Sequence, residues 1–368
     1  MSSRSLNVVL MGTGPFAVPS FRQIFREKHQ ILAVVSRPPI EKPSRDKSPP
    51  ESPVMSWAKE SNLPVHTPAS INSPESIAWL ASLKPDLLVV CDYGQILSND
   101  ALDTARLGGI NLHGSLLPKH RGAAPVQWTI LAGDPIAGVS VIHMTTKLDA
   151  GPVLQLGSTP VGLNENAEEL ETRLSQLGVE PTLKAISQLA ELPSGESPQG
   201  TLQPKELATK APRLSKSDGR LDFQYPIHLV DRQIRGLQPW PGAFGDLLLP
   251  NGKSSRLIIH RATPIELPHI QSRADEFPPG TILFSDAAQS LGITLEQPKH
   301  WVGIAGIDGL LSLELVQLAG KFPMQAKDFA QGYRKQTALK IELPNQPHPL
   351  LDSMRKHIDD KSPKRTDA

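Results

Sequence analysis

The shape of the apolar runs in the first half of the chain constrains its fold more than any other feature. Leu6–Gly12 (LNVVLMG), Ile31–Ser36 (ILAVVS), Asp86–Cys91 (DLLVVC), Gly109–His113 (GINLH) and Gly138–Met144 (GVSVIHM) are short and almost free of polar interruption. Stretches long enough for helices separate them, such as the segment from about Phe16 to Lys28. A strand that is apolar on both faces must be covered on both faces, and alternating helices supply that cover. The pattern predicts a doubly wound α/β domain with a mostly parallel sheet.

The rhythm breaks twice. Between Ser36 and Val54 the chain reads RPPIEKPSRDKSPPESP, where proline removes backbone donors and the charges oppose burial, so a loop is expected. Asn164–Leu192 is a charged helical region that would close the first domain, and Pro193–Pro212 reads as a linker. Beyond it, Leu229–Leu237 suggests a helix. The runs Phe244–Leu249, Arg256–Ala262, Thr281–Phe284, Trp301–Ala305 and Leu310–Val316 are short, with turn residues between them. Such spacing predicts a small β-barrel, OB-like in size. The chain of 368 residues exceeds what one core usually supports. The expected division is 1–192 as the α/β domain, 193–214 as linker, 215–343 as barrel and 344–368 as a tail disordered at its end.

Composition removes several classes of function. Net charge is +1, so no broad electrostatic field marks the whole chain as a nucleic-acid binder. The single cysteine, Cys91, excludes an intramolecular disulfide and a cysteine zinc cluster, and its apolar setting makes it a small buried hydrophobe. No long apolar span or signal-peptide pattern occurs, and a cytoplasmic protein without a membrane partner is expected. Gly12-Thr13-Gly14 resembles the opening of a dinucleotide fingerprint, but the second strand ends in Ser36 rather than an acidic residue. A tight strand-to-helix turn is the better reading.

The chemistry concentrates in GINLHGSLLPKHRGAAPVQW, Gly109 to Trp128. Asn111 and His113 share one face of a strand by the period-two rule, and Gly114 lets the chain turn at its C-terminal end. In open α/β sheets ligands bind at that end. An amide can donate to an oxyanion and an imidazole can relay a proton, which together suit acyl transfer. Asp149, in TKLDAGPV, is the candidate carboxylate. Taken alone, an Asn-x-His pair is more often structural and Asp149 would be an ordinary turn residue. His120 is expected to be exposed, Arg121 to fix loop geometry or an anion, and His143, at a strand end near the proposed site, to be structural. Trp240, between two prolines, is expected to anchor packing where the domains join.

The passage NLHGSLLPKHRGAAP resembles the signature of folate-dependent formyltransferases. The likeness extends to VVLMGTGPFAVPSF from Val8, VVCDYGQIL from Val89 and LDAG from Leu148. It resumes with RLSKSDGRLDF from Arg213, IRGLQPWPGAF from Ile234 and GKFPMQAKDFAQGYR from Gly320. The resemblance implies a Rossmann-like catalytic domain with Asn111, His113 and Asp149 as the catalytic trio. It implies that Ser115, Leu116, Leu117 and Pro118 hold folate, and that the segment containing Val90, Tyr93 and Leu97 wraps its pterin. The implied donor is 10-formyltetrahydrofolate, no metal is needed, and the second-domain motifs imply a charged initiator tRNA as acceptor. Arg45, with Lys42 and Lys47, falls near the family's tRNA-contacting arginine, and a monomer is expected.

Three positions depart from the family pattern: Asp92 stands where alanine is common, and Lys147 and Ala150 replace a glycine and a threonine around the LD pair. Arg232, Arg235, Lys253, Arg256 and Arg261 could form a basic patch on the second domain, or a plain solvated surface. Two other functions remain open on the residues alone. The same first domain could formylate a small amine such as an amino sugar or glycinamide ribonucleotide, or the chain could be a non-catalytic RNA-binding module.

Overall fold

The computed structural model describes residues 5–27, 29–39, 51–193, 196, 198–249, 251–294, 300–336 and 339–359. The described chain forms two compact units, one from 1–126, 135–161 and 169–213, the other from 127–134, 162–168 and 214–368.

In the first unit, β1 (Asn7–Gly12), β2 (Gln30–Val35), β3 (Val65–His66), β4 (Leu87–Cys91) and β5 (Gly109–His113) come first, all on the apolar runs except the two-residue β3. After the two-residue β6 (Arg121–Gly122) come β7 (Ile136–His143) and β8 (Val153–Pro160). The sheet order is β3-β2-β1-β4-β5-β7-β8. Strands β1 to β5 pair in parallel, whereas β7 is antiparallel to both β5 and β8. Every residue of β4 is buried, as expected of a central strand covered on both faces. β8, the edge strand, alternates half-buried and exposed residues and escaped the sequence reading because its run, VLQLGSTP, is partly polar.

Helices α1 (Val18–Arg26), α2 (Pro53–Glu60), α3 (Pro74–Leu83) and α4 (Asn99–Leu102) lie between the parallel strands, and α5 (Pro125–Leu131) precedes β7. Ser52, Ser73 and Ser98 cap α2, α3 and α4 by accepting from backbone amides, and proline begins α2 and α3. The charged region 164–192 is two helices, α6 (Ala167–Leu177) and α7 (Val179–Ala190), divided at Gly178. A Cβ at Gly178 would stand 2.8 Å from a Leu112 methyl, so glycine lets this helix junction approach β5.

In the second unit, α8 (Ile227–Gly236) packs on an antiparallel sheet. Its strands, after the short β9 (Lys210–Ala211) of the first unit, are β10 (Ala243–Leu248), β11 (Ser254–Glu266), β12 (Ile282–Phe284), β13 (Val302–Ala305), β14 (Gly309–Leu318), β15 (Met324–Gln325) and β16 (Lys340–Glu342). The order β12-β13-β14-β11-β10-β16 is joined end to end by a bridge between Thr281 and Lys340, which nearly closes a barrel. Phe223, Val230, Ile234, Leu257, Ile304, Leu311 and Phe329 fill it. Short α9 (Ser285–Ser290) and α10 (Ala326–Tyr333) flank the strands.

Part of the expected tail is ordered. Residues 349–359 form α11 (Pro349–Asp359) with Leu350, Leu351 and Met354 buried, and the Tyr225 hydroxyl donates to Asp352 at 2.6 Å. Residues 360–368 lie outside the described chain. Trp240 is 51% exposed, so it does not serve as a packing anchor. No described helix is long and apolar enough to cross a membrane.

Gly280 sits at the barrel's closure with φ +88°, and a Cβ there would come within 2.7 Å of the Ile341 carbonyl oxygen. Gly252 has a similar φ of +76° but open space around it. Gly280→Ala should therefore lose more stability in urea unfolding than Gly252→Ala, about 2 kcal/mol against about 1 kcal/mol. Equal losses would mean that the closure tolerates the added methyl.

Candidate active site

Strand β5 carries the two residues singled out from its period. Val90 pairs with Asn111 on one side and Ile142 on the other, which sets Asn111 in the middle of the sheet. His113 follows at the C-terminal end opposite Ser140 and is buried. Its Nε2–H donates to the carbonyl of His120 at 2.9 Å. A carbonyl can only accept, so Nε2 carries a proton and Nδ1 is left for other partners. Nδ1 lies 3.8 Å from Asp149 Oδ1, and both side chains are nearly buried. Asp149 Oδ2 accepts from the Gly122 amide at 2.9 Å.

Asp149 does not reach His113 by simple succession of strands. Because β7 is antiparallel to β5, its C-terminal His143 pairs with Ile110, at the far end of β5 from His113. The loop from Met144 to Pro152 brings Asp149 back. This also corrects the location of His143: it is away from His113, and its Nε2 bonds the Leu107 carbonyl at 2.9 Å. The turn at Asp149 is closed by the Ala150 amide donating to the Lys147 carbonyl, and the Lys147 side chain is exposed. Asp149 has φ +48° and His120 φ +58°, left-handed values that cost non-glycine residues about 1–2 kcal/mol each.

The SLLP turn is held from below. Ser140 Oγ donates to the Ser115 carbonyl at 2.7 Å and accepts from the Leu117 amide at 2.9 Å. Ser115 is buried and donates to the Lys119 carbonyl, Leu117 is buried, and Leu116 and Pro118 are partly open. Val90, Tyr93 and Leu97 all point into one hydrophobic core, so the loop between them offers a ligand its backbone rather than these side chains. His120, expected at the surface, is 1% exposed: its amide donates to Thr209 Oγ1 while its carbonyl holds His113. Arg121 fixes loop geometry through its guanidinium. Nε and Nη2 donate to Gln203 Oε1 at 3.0 and 2.7 Å. Gln203, Thr209 and Ser140 are the supporting residues that sequence reasoning missed. Ser140 was hidden inside a strand, and the other two lay in a segment read as linker.

The turn after β1 is laced to the ends of its neighbours. The Thr13 amide donates to the Asp92 carbonyl at 3.0 Å, its hydroxyl donates to the Tyr93 carbonyl at 3.1 Å, and Arg37 donates to that hydroxyl at 3.3 Å. Gly12 leaves no room for a Cβ against the Cys91 carbonyl, and Cys91 is a buried free thiol pushed up by burial. The Asp92 carboxylate packs on Gly14, where a Cβ would meet Oδ2 at 1.7 Å. Asp92 thus occupies the amide at which a nucleotide phosphate would bind. Lys42, Arg45 and Lys47 lie outside the described residues. The ends of their loop are joined by a hydrogen bond between the Ser36 and Ser52 hydroxyls at 3.0 Å.

The basic cluster proposed for the second unit does not form as one surface. Arg235 pairs with Asp231 at 2.7 Å and donates to the Glu165 carbonyl. Arg232 packs over Gly133, with desolvation and Arg235 lowering its pKa. Lys253, Arg256 and Arg261 remain exposed, with Arg256 stacked over the Phe244 ring at 3.9 Å. Among the described residues no group of three His, Cys, Asp or Glu could hold a metal.

Surrounding protein raises the Asp92 carboxyl to about 7, Glu171 adds repulsion, and the hydrogen bond from Gly14 opposes both. The folded state therefore holds this proton more tightly than the unfolded chain, and the fold loses stability as pH rises from the ordinary carboxylate range through about 7. Asp92 remains reachable by water, so screening moderates the effect. Asp92→Asn should raise the melting temperature at pH 8 and leave it nearly unchanged at pH 4. The same shift at both values would show that Asp92 ionises like an ordinary surface carboxylate.

The family model for formyl transferase matches residues 6–186, and that for the formyl transferase C-terminal domain matches 213–334. The methionyl-tRNA formyltransferase of Rhodopirellula baltica is 45% identical over 90% of this chain and 95% of its own length. That of Parvibaculum lavamentivorans is 37% identical over 89% and 97%. Among solved structures, the N-formyltransferase from Helicobacter canadensis, in complex with folinic acid and dTDP-3-aminofucose, has a TM-score of 0.56 at 16% identity, covering 84% of this chain and 99% of that one. HypX from Aquifex aeolicus, in complex with tetrahydrofolic acid, has a TM-score of 0.55 at 14% identity, covering 89% of this chain. The chain spans about half of HypX, 47% of its length. These structures share the fold, and the sequence matches reach further: the chain belongs to the formyl transferase family.

Proposed function

We propose that this chain transfers the formyl group of 10-formyltetrahydrofolate to the α-amino group of methionyl initiator tRNA, for translation initiation. The observation that carries the reading is the His113 imidazole, committed through Nε2 to a main-chain carbonyl and turned through Nδ1 toward the buried Asp149. An imidazole held in one tautomer beside a carboxylate is equipped to move a proton. The relatives that carry the methionyl-tRNA formyltransferase name match the chain over both units, which favours a tRNA acceptor over a small amine.

The folate co-substrate supplies a formyl group on nitrogen. The backbone of residues 92–97 and the turn Ser115-Leu116-Leu117-Pro118 are suited to hold it: Val90, Tyr93 and Leu97 turn their side chains into the core, leaving peptide groups to meet a polar heterocycle edge. In the transfer, Asn111 donates a hydrogen bond to the formyl oxygen as the amine adds and charge develops there. Once the neutral amine has added, Asp149 accepts the proton its nitrogen sheds and passes it to the bare Nδ1 of His113, which delivers it to the departing nitrogen, with Nε2 remaining on the His120 carbonyl. The loop with Lys42, Arg45 and Lys47 is assigned to tRNA phosphates, which makes binding weaken as salt rises. The working form in this proposal is a monomer in the cytoplasm, where initiator tRNA is used.

The test is formyl transfer from 10-formyltetrahydrofolate to charged initiator tRNA. His113→Ala and Asp149→Asn should each lower kcat by roughly 100-fold or more. Near-native turnover in His113→Ala would remove this site from the reaction.

A further inference from the structure

The segment from Thr201 to Ala211 was expected to link two domains, yet it is bonded to both loops that flank His113. Thr201 exchanges both backbone hydrogen bonds with Val153, at 2.8 and 2.9 Å. Thr209 accepts from the amides of His120, through its hydroxyl, and of Arg121, through its carbonyl. Lys210 and Ala211 pair in parallel with Arg121 and Gly122. Gly122, at φ +134°, leaves no room for a Cβ, which would sit 2.4 Å from the Ala211 oxygen.

Gln203 lies at the centre of this segment, and its amide is fully engaged. Oε1 accepts twice from Arg121, and Nε2 donates to the carbonyls of Asp149 at 2.9 Å and Gly151 at 2.7 Å. Turning the amide over would set donors against the guanidinium and an oxygen against two carbonyls, so only one orientation satisfies all four bonds. These bonds fall on the turn in which Asp149 takes its left-handed φ of +48°. Arg121, the other end of the network, immediately precedes the Gly122 amide that grips the Asp149 carboxylate. One side chain therefore ties the backbone of Asp149 to the loop that fixes its carboxylate.

We infer that Gln203 is a positioning residue for the transfer reaction, setting Asp149 against His113 by holding the 149–151 turn to Arg121. This rests on the proposed role of Asp149 and His113. A loss of these bonds changes the chemistry rather than the grip on either substrate, because Gln203 acts on the carboxylate's placement. Misplacing a reacting group by about an ångström can cost up to about 100-fold in rate.

Two near-isosteric variants of the full chain test the inference. Gln203→Leu removes all four bonds. Gln203→Glu keeps the acceptor for Arg121 but opposes the two carbonyls with a carboxylate, and adds a negative charge beside Asp149 and His113. With 10-formyltetrahydrofolate and charged initiator tRNA, each variant should lose roughly tenfold in kcat, with both KM values within about twofold of the parent. Gln203→Glu should also move the acidic limb of the kcat–pH profile upward by about half a unit, since added negative charge favours every protonated form nearby. Parental kcat and pH profile in both variants would overturn the inference. So would a loss in which kcat and KM change together, the melting temperature falls and the pH profile stays in place, because that is what a purely structural residue gives. His113→Ala, run alongside, separates the two levels. If it stays active the site assignment fails, and if it is inactive while the Gln203 variants match the parent, only the role of Gln203 fails.

Discussion

The bond from His113 Nε2 to the His120 carbonyl organises the region around the end of β5. It joins two residues seven positions apart, and it commits one ring nitrogen so that the other faces Asp149. For the carbonyl to be in place, His120 must adopt a left-handed conformation with its amide held by Thr209. For the loop to return over the strand end, Ser115 and Leu117 must be fastened to Ser140 on the neighbouring strand. Each of these supports is a hydrogen bond in a buried or part-buried setting, where leaving a group unpaired costs about 1–3 kcal/mol.

The sheet accounts for how the parts meet. Its parallel half, β1 to β5, delivers the C-terminal ends of β4 and β5 side by side. That placement sets the Asp92–Leu97 segment beside the end of the strand bearing Asn111 and His113. The antiparallel half, β7 and β8, then supplies the floor under the SLLP turn and the loop that returns Asp149. Strained backbone gathers here: of five described non-glycine residues with positive φ, Asp92, His120 and Asp149 belong to these loops. Such conformations persist where surrounding bonds over-determine them, and Thr13, Thr209 and Gln203 provide those bonds.

Much of this was legible in the chain itself. The apolar runs located β1, β2, β4, β5 and β7, because a strand covered on both faces leaves an unmistakable composition. Asn111 and His113 followed from strand periodicity. Asp149 depended more on the family likeness, since it returns through a loop after an antiparallel strand. The direction of β7 was not readable from its composition, and this misplaced His143 at the near end of the sheet. His120 looked like a surface residue in a basic stretch, and its burial depends on a partner 89 residues away. The segment around Gln203 is rich in proline and polar residues, so nothing local distinguished it from a solvated linker. Arg232 and Arg235 looked like a basic surface because sequence shows charge but not Asp231, Gly133 or the Glu165 carbonyl packed against it.

The central physical claim is that His113 works through Nδ1 because Nε2 is committed to the His120 carbonyl. Nitrogen-15 NMR of labelled protein reads this directly, from the chemical shifts and ring-proton couplings of the two imidazole nitrogens. The account predicts that neutral His113 carries its proton on Nε2, and that Asp149→Asn leaves this tautomer unchanged. A neutral ring protonated on Nδ1, with Nε2 bare, would contradict it.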